Sequence, residues 1–174
     1  MKVMFIGAPV DAPPAHLTTE QKLDATGKNT GNMLIGQALK RQLRLTHYEQ
    51  YKAGMSPDWI VGNFDLIAIP ASNFLFRNFD FGAWAEILEE IELPCLMVGL
   101  GAQAPTTADA EIEVPAGTKR FLAIVADRSK SIGVRGDYTA EVMHRLGFHN
   151  VRSLGCPSLY WNLRPTIDIQ KRSS

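Results

Sequence analysis

The sequence has few cysteines, no excess of charge of either sign and no long apolar run. Cys95 and Cys156 are its only cysteines and match neither a disulfide framework nor a zinc site. We therefore expect both cysteines to be small, buried apolar side chains. The alternative is that Cys156 is a nucleophile. Eighteen basic residues balance eighteen acidic ones, which disfavours a nucleic-acid-binding protein. No apolar run approaches the roughly 20 residues that span a bilayer, so we expect no integral membrane segment.

Signatures of metal, cofactor and export are also missing. The four histidines are scattered and pair with no cysteine or acid at metal-ligand spacing, so we predict no metal site. We predict no cofactor, because Gly7-Ala8-Pro9 follows the first apolar run where a dinucleotide-binding protein has its glycine-rich turn. The N-terminal apolar run is short and lacks a small-residue cleavage site, so we expect a cytoplasmic protein.

What the sequence does contain is an alternation of strand-like and helix-like segments. Its 174 residues, 45% apolar and 21% charged, suit one globular domain. We predict an α/β fold with a doubly wound, mostly parallel sheet over residues 1–162, followed by a polar tail or truncated linker at 163–174. Predicted strands cover residues 2–6, 46–51, 65–70, 94–100, 131–134 and 150–154. Predicted helices cover residues 32–43, 81–92, 116–130 and 137–146, with a helical turn near 19–23.

Local signals predict how some of these elements begin and end. Thr30 and Asp137 are predicted N-caps, and Gly147 is predicted to stop the helix that precedes it. Residues 11–29 and 101–115 are predicted as long loops, which in compact domains are often functional.

Arg135 is the first candidate for binding a ligand. It follows a predicted strand directly, and in an open α/β sheet ligands bind at the carboxyl ends of the strands. A guanidinium there suits a carboxylate or phosphate, to which it can make two parallel hydrogen bonds. The alternative is an ion pair with Asp137 or Glu141, and the local sequence leaves both interpretations open.

Two glycine-containing segments are further candidates. Residues 29–32 (Asn-Thr-Gly-Asn) begin the first good helix, where backbone N–H groups favour an anion or a sugar hydroxyl; an ordinary cap with a turn glycine is the alternative. Residues 99–104 fit G-x-G-x-x-A after a strand, but Pro105 follows and no helix is predicted there. A dinucleotide site needs that helix, so we do not predict one.

The stretch 134–159 resembles the polysaccharide pyruvyl transferase family. It carries Val134-Arg135, a helix stopped by Gly147, and a strand leading to Gly155-Cys156-Pro157-Ser158. Three further segments look similar to the family: 29–32, 65–73 and 98–103. The first-helix motif of the family commonly has Gly-Asp, whereas this chain has Gly31-Asn32 and so lacks that carboxylate.

The resemblance implies transfer of a pyruvyl group from phosphoenolpyruvate to a saccharide, as a ketal. It also implies a Rossmann-like half of a GT-B-like fold, with the site between two halves. On this basis the partners are phosphoenolpyruvate and a saccharide, and the catalytic residues are unknown. The predicted substrate-binding residues are Arg135, Gly31, Asn32, Ser72, Asn73, Gln103 and Ser158.

A GT-B-like enzyme needs a second half, so we expect this chain alone to be incomplete and inactive. A missing C-terminal domain or a homo-oligomer would complete the transferase. Two other interpretations stay open: a non-catalytic saccharide-binding or assembly module, and the acceptor half of a nucleotide-sugar glycosyltransferase.

Overall fold

Strands and helices alternate along the chain in a computed structural model that describes residues 1–104 and 112–164. The strands are β1 (Val3–Phe5), β2 (Tyr48–Gln50), β3 (Leu66–Pro70), β4 (Cys95–Leu100), β5 (Ile132–Val134) and β6 (Val151–Ser153). The helices are α1 (Thr19–Ala25), α2 (Thr30–Leu43), α3 (Pro57–Asn63), α4 (Gly82–Glu90), α5 (Ala116–Asp127) and α6 (Asp137–Arg145). A 3₁₀ turn follows at Pro157–Tyr160.

The six strands form one parallel sheet in the order β2-β1-β3-β4-β5-β6. The chain runs outward from β1 to β2, returns past β1 to β3, and then runs outward to the opposite edge. The strand order therefore reverses between β1 and β3, which is where ligands bind in doubly wound sheets. The predicted fold class, α/β with a doubly wound parallel sheet, is confirmed.

Helices cover both faces of this sheet because successive strand residues point to opposite faces. Val3 and Phe5 of β1 pack with Leu39 of α2 in one apolar cluster. Met4 of β1 and Ile67 of β3 belong to the larger cluster on the other face, to which α3, α4, α5 and α6 contribute buried side chains. The near-continuous apolar runs of β3 and β4 follow from this two-sided burial.

The structure corrects several details of the predicted elements. Asn29 caps α2 in place of Thr30, since its side chain accepts a hydrogen bond from the Gly31 N–H. Gly136 occupies the N-cap position of α6, and Asp137 is the first helical residue. Gly147 follows α6 with a φ of 93°, as its predicted role as a helix stop requires.

Helix α3 was not predicted from the sequence at all. Ser56 caps it, Pro57 is its first residue, and Ile60 is its only buried residue. Residues 105–111 of the predicted 101–115 loop and residues 165–174 of the polar tail lie outside the described residues, and the boundary at residue 162 stays a prediction. None of the described helices has the length and apolar character needed to cross a membrane.

Candidate functional site

A cavity of about 590 Å³ lies at the carboxyl edge of the sheet. All seven residues predicted from the sequence line it: Gly31, Asn32, Ser72, Asn73, Gln103, Arg135 and Ser158. They follow β3, β4, β5 and β6 or begin α2, so the parallel sheet brings together segments that are far apart in the chain. The structure thus places these residues at one site, and their role in binding a substrate stays a prediction.

The side chain of Arg135 is held by two neutral oxygen atoms. Its Nε donates to the Gly99 carbonyl and its Nη1 to Asn73 Oδ1, both at 2.9 Å. Among residues 1–104 and 112–164 it forms no ion pair with a carboxylate, and Glu141 instead pairs with Arg145. Because neither acceptor of Arg135 is charged, its positive charge is available to a ligand. The ion-pair interpretation of Arg135 is therefore wrong for the described residues.

Two glycines at the end of β4 make room for this arrangement. Gly99 has a φ of +88°, and a Cβ there would lie 2.9 Å from the Ala71 carbonyl oxygen. A Cβ on Gly101 would lie only 2.4 Å from Asn73 Oδ1. These glycines therefore allow close packing around Asn73 and Arg135, which explains the G-x-G pattern without a nucleotide.

The chain after β4 continues as extended backbone. Ala102 forms a parallel bridge with Leu75, and the Gln103 N–H donates to the Leu75 carbonyl at 3.0 Å. No helix begins within residues 101–104. The helix N-terminus that a dinucleotide pyrophosphate would need is thus absent from this described segment.

The N-terminus of α2 is largely satisfied by its own turn. Asn29 accepts the Gly31 N–H through its side chain at 2.9 Å and the Asn32 N–H through its carbonyl at 3.0 Å. The amide nitrogen of the Asn32 side chain donates to the Thr26 carbonyl at 3.4 Å. This geometry matches the capping interpretation of the segment. A ligand at the N-terminus of α2 therefore meets asparagine side chains rather than unpaired backbone N–H groups.

The family model described as "Polysaccharide pyruvyl transferase" matches residues 29–174. The chain belongs to the polysaccharide pyruvyl transferase family. The match begins at the N-cap of α2 and includes every residue predicted to bind substrate. No curated protein and no solved structure matches the chain.

The loop after β6 closes one side of the cavity in this pyruvyl transferase-family chain. Gly155 turns the backbone with a φ of +81°, and the Pro157 carbonyl accepts a hydrogen bond from Gln42 Nε2 of α2 at 2.7 Å. Ser158 Oγ lies 3.0 Å from Cys156 Sγ at the cavity. The bond from Gln42 ties this loop to α2, the helix whose first turns line the cavity.

Three phenylalanines at the cavity were not predicted as site residues. Phe74, Phe76 and Phe79 line it beside the polar groups. A signal was present, because four of the eight phenylalanines of the chain lie within residues 74–81. Apolar side chains in a loop are usually interpreted as core, whereas Phe79 is 39% exposed.

The two cysteines should differ sharply in reactivity. Cys95 is buried, and burial raises the pKa of its thiol to about 11, whereas Cys156 is half-buried at the cavity. The thiolate is the reactive form, and at pH 8 a group with a pKa near 11 is only about 0.1% thiolate. We expect iodoacetamide to alkylate Cys156 and spare Cys95 in the native chain, as measured by peptide mass spectrometry.

The same reaction in urea, where both thiols are exposed, provides the control. Cys156→Ser should then leave one reactive site in urea and none under native conditions. Equal labelling of both cysteines in the native chain would contradict the burial of Cys95.

Proposed function

We propose that this domain binds phosphoenolpyruvate through Arg135 and takes part in transfer of its pyruvyl group to a saccharide as a ketal. The observation that carries the proposal is the pairing of Arg135 with two neutral oxygens at the carboxyl edge, within the region that matches the family. The guanidinium has five N–H donors, of which described residues take two. The others are open to a carboxylate or phosphate group of the donor.

Ketal formation sets clear demands on the complete site. Two sugar hydroxyls add to the central carbon of phosphoenolpyruvate, the methylene carbon takes up one hydroxyl proton, and phosphate leaves with the other. Cationic groups lower the cost of the negative charge on the carboxylate and on the departing phosphate. A general acid and base must also move the two protons.

The described lining of the cavity supplies only part of this set. Arg135 is its one cation, and it contains no carboxylate and no imidazole. We therefore propose that further cationic and acid–base groups come from a second domain or a second subunit, as in a GT-B-like arrangement. On this view the domain binds substrates, and steady turnover requires the completed site.

The same cavity lining also supports a second candidate function, saccharide binding without catalysis. Amide, hydroxyl and aromatic side chains without an acid–base pair also suit a non-catalytic saccharide-binding module. Such a module would bind a sugar and have no affinity for phosphoenolpyruvate.

The cytoplasmic location expected from the sequence stays a prediction.

A thermal-shift titration with three ligands tests the proposal. Phosphoenolpyruvate, uridine diphosphate and inorganic phosphate are each added to the chain at matched ionic strength. At about ten times its Kd, a ligand stabilises the folded state by about 1.4 kcal/mol. For a chain of this size, that raises Tm by roughly 3–6 °C.

We expect this shift with phosphoenolpyruvate and a smaller one with phosphate, which lacks the carboxylate. A shift with uridine diphosphate alone would favour the nucleotide-sugar interpretation and contradict the proposal. The absence of any phosphoenolpyruvate shift would leave saccharide binding as the better function. Equal shifts with phosphate and phosphoenolpyruvate would indicate a plain anion site.

A further inference from the structure

An aromatic stack runs from the core of the domain to the wall of the cavity. Phe121 is fully buried and stacks on Phe81 at a centroid distance of 4.9 Å. Phe81 contacts Phe79 edge-on at 4.7 Å, and Phe79 stacks with Phe74 and Phe76 at 5.8 and 5.7 Å. The buried end of the stack is part of the core, and its outer end faces the cavity.

The outer rings are carried on a loop that is firmly anchored. Thr118, buried in α5, donates its hydroxyl to the Phe79 carbonyl at 2.9 Å and accepts the Phe81 N–H at 3.1 Å. At the other end of the loop, the Leu75 N–H donates to the Gly101 carbonyl at 3.1 Å. A ring placed this way loses little conformational freedom when a ligand binds against it.

We infer that Phe79, which is exposed at the cavity next to Phe76, is the stacking platform for one pyranose ring of the saccharide. The inference rests on the proposed function and names the part of the cavity that takes the acceptor. The face of an aromatic ring carries negative charge density, so it attracts the C–H groups on one side of a sugar ring. Burial of that apolar sugar face adds to the attraction.

The rest of the cavity suits the polar rim of a sugar. Asn29, Asn32 and Ser72 line it together with the phenylalanines. A pyranose has one apolar face and a rim of hydroxyls, so it needs a flat apolar surface with amide and hydroxyl groups around it. Arg135 lines the same cavity, which brings the predicted donor-binding group and the platform into one site.

Saturation-transfer NMR with simple sugars tests the platform. The probes are methyl β-D-glucopyranoside, methyl β-D-galactopyranoside and methyl β-D-mannopyranoside, each added to the whole chain. We expect at least one to receive saturation, strongest on the C–H protons of one ring face and with upfield shifts from the aromatic ring. Phe79→Leu keeps the apolar character and removes the ring, so it should weaken binding roughly three- to tenfold.

Phe79→Tyr is the matched control, since it keeps the aromatic face and should bind the same sugar as tightly as the unmodified chain. Parallel phosphoenolpyruvate titrations separate this inference from the proposed function. Sugar binding unchanged in Phe79→Leu would overturn the platform, even if phosphoenolpyruvate binds as proposed. Dependence of sugar binding on Phe79 without any phosphoenolpyruvate affinity would support the platform and overturn the donor proposal.

Absence of sugar binding to the unmodified chain would also overturn the platform. So would a dimer in sedimentation that dissociates in Phe79→Leu without change in the sugar signals. That outcome would assign the aromatic surface to a second copy of the chain.

Discussion

Replacing Arg135 by alanine is expected to weaken phosphoenolpyruvate binding by at least about 100-fold. A hydrogen bond to a charged group contributes about 1.5–3 kcal/mol, and a carboxylate or phosphate can take two such bonds from one guanidinium. Two lost bonds therefore correspond to about 3 kcal/mol or more, and each 1.4 kcal/mol is tenfold in affinity. Isothermal titration calorimetry measures the change directly.

Substitutions at Arg135 and its neighbour separate charge from orientation. Arg135→Lys keeps the charge but loses the planar fork that binds Gly99 and Asn73 while presenting further donors, so we expect intermediate affinity. Asn73→Ala removes one restraint on the guanidinium. Asn73→Asp keeps an acceptor there but adds a carboxylate that competes with the ligand for the positive charge. We therefore expect Asn73→Asp to bind more weakly than Asn73→Ala.

A matched control comes from Arg152, an arginine in a strand of the same domain. Arg152 is exposed in the edge strand β6 and does not line the cavity, and Arg152→Ala removes the same net charge. The affinity of the Arg152→Ala variant for phosphoenolpyruvate should stay near that of the unmodified chain. If Arg135→Ala and Arg152→Ala weakened binding equally, the effect would be one of overall charge, and Arg135 would not be the binding group.

The parts of the fold that could be predicted are those in which a local pattern has one structural solution. The apolar runs of β3 and β4 fit only strands covered on both faces, and the alternation with helices then favours a parallel sheet. From a parallel sheet it follows that residues after different strands share one edge. Ser72, Gln103 and Arg135 could therefore be placed together from the sequence, although 63 positions separate the first from the last.

The details that could not be predicted depend on choices between nearly equivalent local solutions. Asn29 and Thr30 both suit a helix cap, and the preceding residue, Lys28, has a left-handed conformation with a φ of 58° that the sequence does not signal. Helix α3 has one buried residue, Ile60, so its helical periodicity is weak even though Ser56 and Pro57 suit a helix start.

Contacts between side chains that are distant in the sequence could not be predicted, for a different reason. The bond between Asn73 and Arg135 depends on the rotamers of two residues 62 positions apart, and no local rule sets them. The same applies to Phe79, whose exposure depends on how its loop packs against Thr118. These contacts determine which groups a ligand meets, so the chemistry of the cavity follows from the structure.

Gly36→Ala is expected to destabilise the chain, although alanine is the better helix former. Helix propensity alone predicts a gain of about 0.5–1 kcal/mol for this change within α2. A Cβ on Gly36 would, however, lie 2.2 Å from the Pro9 carbonyl oxygen and 2.9 Å from the Pro9 carbonyl carbon, and both belong to backbone. Either α2 or the loop after β1 must move, and overpacking of this kind costs about 1–3 kcal/mol or more.

Gly62→Ala is the matched control, because Gly62 lies in helix α3, is exposed, and has nothing within 4 Å of the position that an added methyl group would take. It should raise the free energy of unfolding by about 0.5–1 kcal/mol, as measured by urea denaturation. Gly36→Ala should lower it by about 1–2 kcal/mol net, after the propensity gain is subtracted. Because α2 carries Asn32 to the cavity, a shifted helix should also weaken ligand binding there. Stabilisation by both substitutions would contradict the close contact of α2 with Pro9.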